Sequence, residues 1–182
     1  TVGVDTVGGQ ATGVFYFDGV EKPASYSVKK GSTYIFDQSD STNAIYNNQH
    51  HPLMFSTGDD GDHNGNGHYM MGVTYKLDGA TVTMAGYVSG FVAATSRTIE
   101  WTVPINESNS TLYYWCHFHT GQGNSISVGD RTWATLPGAT SASYTTGNTT
   151  YADDHNDLYR CKIDAVGAAS SEYTNSVILG VY

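Results

Sequence analysis

The stretch LYYWCHFHTGQG, residues 112–123, decides how the rest of the chain is read. Its first half is aromatic and apolar, as a strand requires, and its second half dissolves into glycine and polar residues. Cys116 stands at the junction, with His119 three residues on and Gln122 three beyond that. A thiolate, an imidazole and an amide at this spacing suit one loop between adjacent strands. A trigonal copper site needs one thiolate, two imidazoles and a weak axial donor. His51, which opens the apolar strand HHPLMFST (50–57), is the natural distant imidazole. The expected ligands are therefore His51, Cys116, His119 and Gln122, with copper as the metal. Two other readings stay open. Cys116 can be an inert core thiol, or it can pair with Cys161, the second of the two cysteines. His50 and His117 adjoin ligands, but side chains alternate along a strand, which turns them away from the site.

Outward from this stretch, the composition favours β-structure. The 182 residues include 14 Tyr and 21 Gly, and only 14% are charged. Long runs of strong helix formers are missing, and turn residues recur. A formal net charge of -9 argues against nucleic acid as a partner, because phosphate binding needs a basic surface. No apolar run approaches the length of a membrane span.

Strand candidates follow one another through the first two thirds. GVFYFDG ends on an Asp18-Gly19 turn, and Lys29-Lys30-Gly31 separates ASYSV from STYIF. VTYKLDGATVTM reads as strand, Asp78-Gly79 turn, strand. SRTIEWTVP alternates Ile99, Trp101 and Val103. Residues 84–95 hold the one candidate for a short helix. The glycine-rich 58–69 segment carries Asp60, Asp62 and Asn64 at the spacing that opens a calcium loop, but Met71 stands where its bidentate Glu is needed, so calcium is not expected. Asn106, Asn109 and Asn148 each begin an Asn-x-Ser/Thr glycosylation sequon. Paired carboxylates, a Ser-His-Asp arrangement and a phosphate-binding loop do not stand out, so no enzyme is expected.

Residues 14–128 resemble the cupredoxin-like domains of marine phage structural proteins and bacterial surface proteins. The resemblance rests on DGVEKPASYSVKKGSTYIFDQSDS, HPLMFST, DGDHNGNGHYMMGVTYKLDG, ATSRTIEWTVP and STLYYWCHFHTGQG, which occur in the family's order. It implies a Greek-key β-sandwich with His51, Cys116 and His119 as metal ligands. Gln122 stands where the family has Met. An amide oxygen is a harder donor than a thioether, which favours Cu(II) and lowers the reduction potential.

From about residue 129 the texture changes. WATLPGATSASYT, YADDHNDLYRCKIDAVG and TNSVILGVY resemble the second half of an immunoglobulin-like domain, with Tyr159 two residues before Cys161. Its front half is missing. The expected organisation is all-β: an extended N-terminal arm at 1–12 carrying Val2 and Val4, a cupredoxin-like β-sandwich at 13–128, and a partial immunoglobulin-like β-sandwich at 129–182. A half sandwich leaves unpaired edges that another strand must cover. The expected function is a non-enzymatic structural subunit of an extracellular or virion-surface assembly, either a filament or a decoration. Its copies would form a homo-oligomer or polymer by β-strand addition. The alternatives are a soluble blue-copper electron-transfer protein and a glycan- or cell-adhesion module.

Overall fold

The computed structural model describes residues 1–5, 11–23, 26–141, 143–148, 158–164, 166–167, 169–174 and 177–179. The chain divides into two compact units, Thr1–Arg131 and Thr132–Tyr182. Strands dominate the first, and the regular elements described in the second are all strands, so the fold is all-β. Among the described residues no helix is long and apolar enough to cross a membrane.

The first unit is a β-sandwich with three sheets. One contains β1 (Val2–Asp5), β2 (Val14–Phe17) and β3 (Val20–Glu21), in that order. The second has the order β4 (Tyr26–Lys29), β11 (Asn124–Gly129), β10 (Thr111–Cys116), β6 (Leu53–Ser56). The third has the order β5 (Thr33–Asp37), β9 (Arg97–Thr102), β7 (Val73–Leu77), β8 (Ala80–Val82). β4 and β11 run parallel; the other pairs are antiparallel. The Lys29–Gly31 turn joins strands of different sheets, so it carries the chain across the sandwich rather than closing a hairpin. Asp18-Gly19 and Asp78-Gly79 do close hairpins, and all four residues have positive φ.

Alternation explains the core. In β9, Arg97, Ile99 and Trp101 point inward and Thr98 and Glu100 do not. Aromatic rings then link the sheets. Phe17 lies 4.5 Å from Tyr114 and 5.6 Å from Phe36, ring centre to ring centre. Phe55 lies 5.1 Å from Phe36 and 4.9 Å from Trp101. Each such pair adds about 0.5–1.5 kcal/mol beyond its burial. The buried Arg97 is satisfied by main-chain carbonyls, donating to Phe91 and Ala94 at 2.6 Å each.

Two short helices interrupt the strands. α1 (Ser41–Ile45) is capped by Asp40, which accepts from Thr42 N. α2 (Met84–Gly90) falls within the predicted 84–95 stretch and is capped by Thr83. A 3-10 turn spans Gly61–Asn64.

The N-terminal residues depart from expectation. Val2–Asp5 is not a free arm but pairs with β2 as a strand of this unit, and Val2 and Val4 are buried in its core. Val4 N donates to Thr42 Oγ1, and Val2 O accepts from the Asn43 amide at 2.6 Å. Apolar alternation in a short N-terminal stretch marks an inward face regardless of which sheet takes it. Residues 6–10 of the predicted arm lie outside the described residues.

The second unit contains two-stranded pairs only among its described residues. β12 (Leu158–Tyr159) pairs with β15 (Val177–Ile178), and β13 (Lys162–Ile163) pairs with β14 (Glu172–Tyr173). The Arg160 guanidinium lies 3.9 Å from the ring centres of both Trp133 and Tyr173. None of this unit's residues whose burial is described is buried. The predicted strand leading into Tyr159 and the end of TNSVILGVY fall partly outside the described residues.

Gly72 tests the sandwich locally. Its φ is +72, and a Cβ there would fall inside the Thr102 carbonyl. Gly79 has φ +81 but open space around it. Gly72→Ala should lower the unfolding free energy by about 3 kcal/mol or more, and Gly79→Ala by only about 1–2 kcal/mol. Urea melts of the two variants measure the difference.

Candidate metal centre

The register of β6 against β10 builds the site. Cys116, the last residue of β10, pairs with Leu53, the first of β6. His51 lies two residues before Leu53, so thiol and imidazole arrive at the same end of the sheet. The connection from β10 to β11 then supplies His119 and Gln122. One ligand atom from each of His51, Cys116 and His119 lies within 4.8 Å of the others, and this group could hold a metal ion. His51 and Cys116 are buried, and His119 is half-buried.

The separations suit a shared ion. Cys116 Sγ is 3.4 Å from His119 Nδ1 and 3.8 Å from His51 Nδ1. Metal–sulfur and metal–nitrogen bonds of about 2.3 and 2.0–2.1 Å give sulfur–nitrogen edges of about 3.5–3.8 Å in trigonal or tetrahedral arrangements. Gln122 belongs to the same cluster, with Oε1 3.0 Å from His51 Nδ1. Its Nε2 donates to the Thr12 carbonyl, which turns the oxygen toward the ligands.

Hydrogen bonds on the far side of each ring select the ligating nitrogen. His119 Nε2 donates to Gln49 Oε1, leaving the Nδ1 lone pair facing Cys116. His51 has acceptors at both nitrogens: the Tyr46 carbonyl 3.4 Å from Nε2 and Gln122 Oε1 at Nδ1. A neutral imidazole has one N–H and can satisfy only one of them. An ion between Nδ1 and Oε1 resolves the conflict, with the proton on Nε2. Burial holds His51 below its ordinary pKa and brings His119 down to about 4, so both rings are neutral near pH 7. Burial pushes the Cys116 thiol up to about 12, so a bound ion must displace its proton.

A buried polar network holds His51 in place. Gln38 Nε2 donates to the His51 carbonyl and to Asn43 Oδ1, and Gln38 Oε1 accepts from Leu53 N and Tyr87 O–H. Asn43 O accepts from His51 N at 2.7 Å. The other ligand loop is fastened by Asp60, whose carboxylate accepts from Gly121 N, and by Lys22 Nζ, which donates to Gly121 O at 2.9 Å. His63 Nε2 lies 3.1 Å from the Cys116 carbonyl.

The remaining predicted residues are dispersed. Asp60 is engaged with Gly121, and Asp62 Oδ2 lies 3.2 Å from His68 Nδ1. Asn106 and Asn148 are exposed; Asn109 is half-buried, its amide donating to Glu107 at 2.7 Å. Val2 and Val4 belong to the core. Both cysteines are free thiols, Cys116 buried and Cys161 exposed. Gln38, Asn43, Gln49 and Thr12 carry no motif; only their contacts reveal them. The chain has no significant match among protein-family profiles, curated proteins or solved structures.

Gln38→Ala should destabilise the protein by about 2–4 kcal/mol, because it strands several buried groups. Gln49→Ala removes only an exposed outer partner. It should leave the melting temperature within a few degrees and weaken metal binding about 10–100-fold. Thermal melts and chelator-competition titrations separate the two effects.

Proposed function

We propose that this chain is a non-enzymatic, copper-bearing structural subunit of an extracellular or virion-surface assembly. On this reading its first unit is cupredoxin-like and its second is a partial immunoglobulin-like module. The observation that carries the copper reading is the set of His51, Cys116, His119 and Gln122, with donor atoms at ligand separations and outer partners already on both rings. Thiolate with imidazole is the donor chemistry copper prefers, and an amide oxygen in the axial position favours its oxidised state. Bound copper would supply a one-electron couple. The protein's own contribution is to hold the rings in one tautomer, bury the thiol, and fasten both ligand segments through Gln38, Asp60 and Lys22.

The second unit supports the assembly half of the proposal. Its described strands are two residues long, and none of its described side chains is buried. Short open pairs of strands are marginal by themselves and gain most from an added strand.

Electron transfer is the second reading, favoured by one surface feature. Phe118 is 43% exposed beside the half-buried ligand His119, with their ring centres 6.5 Å apart. Ile45 is 68% exposed on α1.

Two measurements test the proposal. Cu(II) added to the wild type should produce an intense band near about 600 nm, absent in Cys116→Ser. No band in the wild type overturns the copper reading. Light scattering and negative-stain imaging should show oligomers or polymers; a monomer at high concentration overturns assembly and leaves electron transfer.

A further inference from the structure

A second set of imidazoles gathers around Trp115, and the site just described does not use it as ligands. The ring centres of His63, His68 and His117 lie 5.3, 5.1 and 6.3 Å from the Trp115 ring centre. His117 follows Cys116 directly, just past the end of β10, and its N–H donates to the Pro52 carbonyl at 2.9 Å, one step beyond the Cys116–Leu53 pair. Successive side chains of an extended chain point to opposite faces. The His117 ring is thereby directed away from Cys116 Sγ.

Two imidazole nitrogens of this cluster are without partners, as is Trp115 Nε1, an N–H donor that cannot serve as a ligand. His68 Nδ1 lies 3.2 Å from Asp62 Oδ2, so a neutral ring carries its proton there and leaves a lone pair on Nε2. His68 Nε2 and His117 Nδ1 are both buried, and neither has a hydrogen-bond partner among protein groups. His63 is different, because its Nε2 is taken by the Cys116 carbonyl. The His68 and His117 rings are 6.1 Å apart, centre to centre. An imidazole bound at about 2.0–2.1 Å keeps its ring centre about 3.2 Å from the ion, so two rings sharing one ion lie about 5.2 Å apart at a tetrahedral angle and about 6.4 Å apart when opposed, and the observed separation falls between these limits. The carboxylate on the outer nitrogen of His68 is the support that orients a ligating imidazole and raises its basicity.

We propose that His68 Nε2 and His117 Nδ1 hold a second metal ion, on the opposite side of the chain from Cys116 Sγ. Imidazole pairs select borderline divalent ions, of which Zn²⁺ is the simplest probe because it has no redox chemistry. Asp62, half-exposed, holds the outer nitrogen of His68 and leaves Nε2 for the ion.

The test is a Zn²⁺ titration of the full chain, counted by calorimetry and elemental analysis, in the wild type, His68→Gln, His117→Gln and Cys116→Ser. One ion should be weakened on the order of a hundredfold by each histidine change and retained in Cys116→Ser. In the ¹⁵N-labelled wild type, Zn²⁺ should shift the His68 Nε2 and His117 Nδ1 resonances, a readout that needs no variant to fold. Unchanged binding in both histidine variants, or unmoved resonances at saturating Zn²⁺, overturns the second site. Failure of the first metal site looks different: Cys116→Ser would then cost no ion at all, while the copper reading is tested separately by the absorption band.

Discussion

The antiparallel pairing of Leu53–Ser56 with Thr111–Cys116 is the constraint on which the site depends. With Cys116 opposite Leu53, His51 and Cys116, 65 residues apart in sequence, arrive at one end of one sheet. A slip of one residue would turn every side chain of β6 to the other face. The register is held against that by specific packing, with both faces of β6 buried and Phe55 seated between Phe36 and Trp101. The hydrophobic core therefore sets the ligand geometry before any ion is involved. Gln38 repeats the constraint in polar form, because one side chain bonds to both His51 and Leu53 across the turn into the strand.

Much of the frame was legible in the sequence, for identifiable reasons. Ile99, Trp101 and Val103 alternate, and all three are buried. Asp18-Gly19 and Asp78-Gly79 announce hairpins because positive φ is needed there. Cys116, His119 and Gln122 could be grouped because one short loop contains them. His51 could be added because an apolar strand follows it directly. The outer partners were not legible. Gln38 and Asn43 are ordinary polar residues until the fold brings them inside, and Thr12 contributes a main-chain carbonyl, which no side-chain pattern encodes. Val2 and Val4 show the same limit from another side. They were read as part of an extended arm, and nothing in their alternation showed that β2 of the same unit would take them as a strand.

The neighbourhood of Cys116 concentrates polar groups at the margin of an aromatic core. Three imidazoles surround Trp115 on one side of the chain, and two more meet the thiol on the other. The 3-10 turn at Gly61–Asn64 connects the two groups. Asp60, just before it, fastens the ligand loop at Gly121, Asp62 orients His68, and His63 reaches the Cys116 carbonyl. Gly61 makes this close approach feasible, since any Cβ there would enter the Trp115 indole.

The bond from Gln122 Nε2 to the Thr12 carbonyl has an evolutionary corollary. Every amino acid carries a carbonyl, so replacing Thr12 leaves the anchor intact. The orientation of the amide is inherited from the path of the backbone, and point substitution at the anchoring position has little purchase on it. Retuning that donor requires either exchanging Gln122 itself or lengthening or shortening the chain that leads into β2.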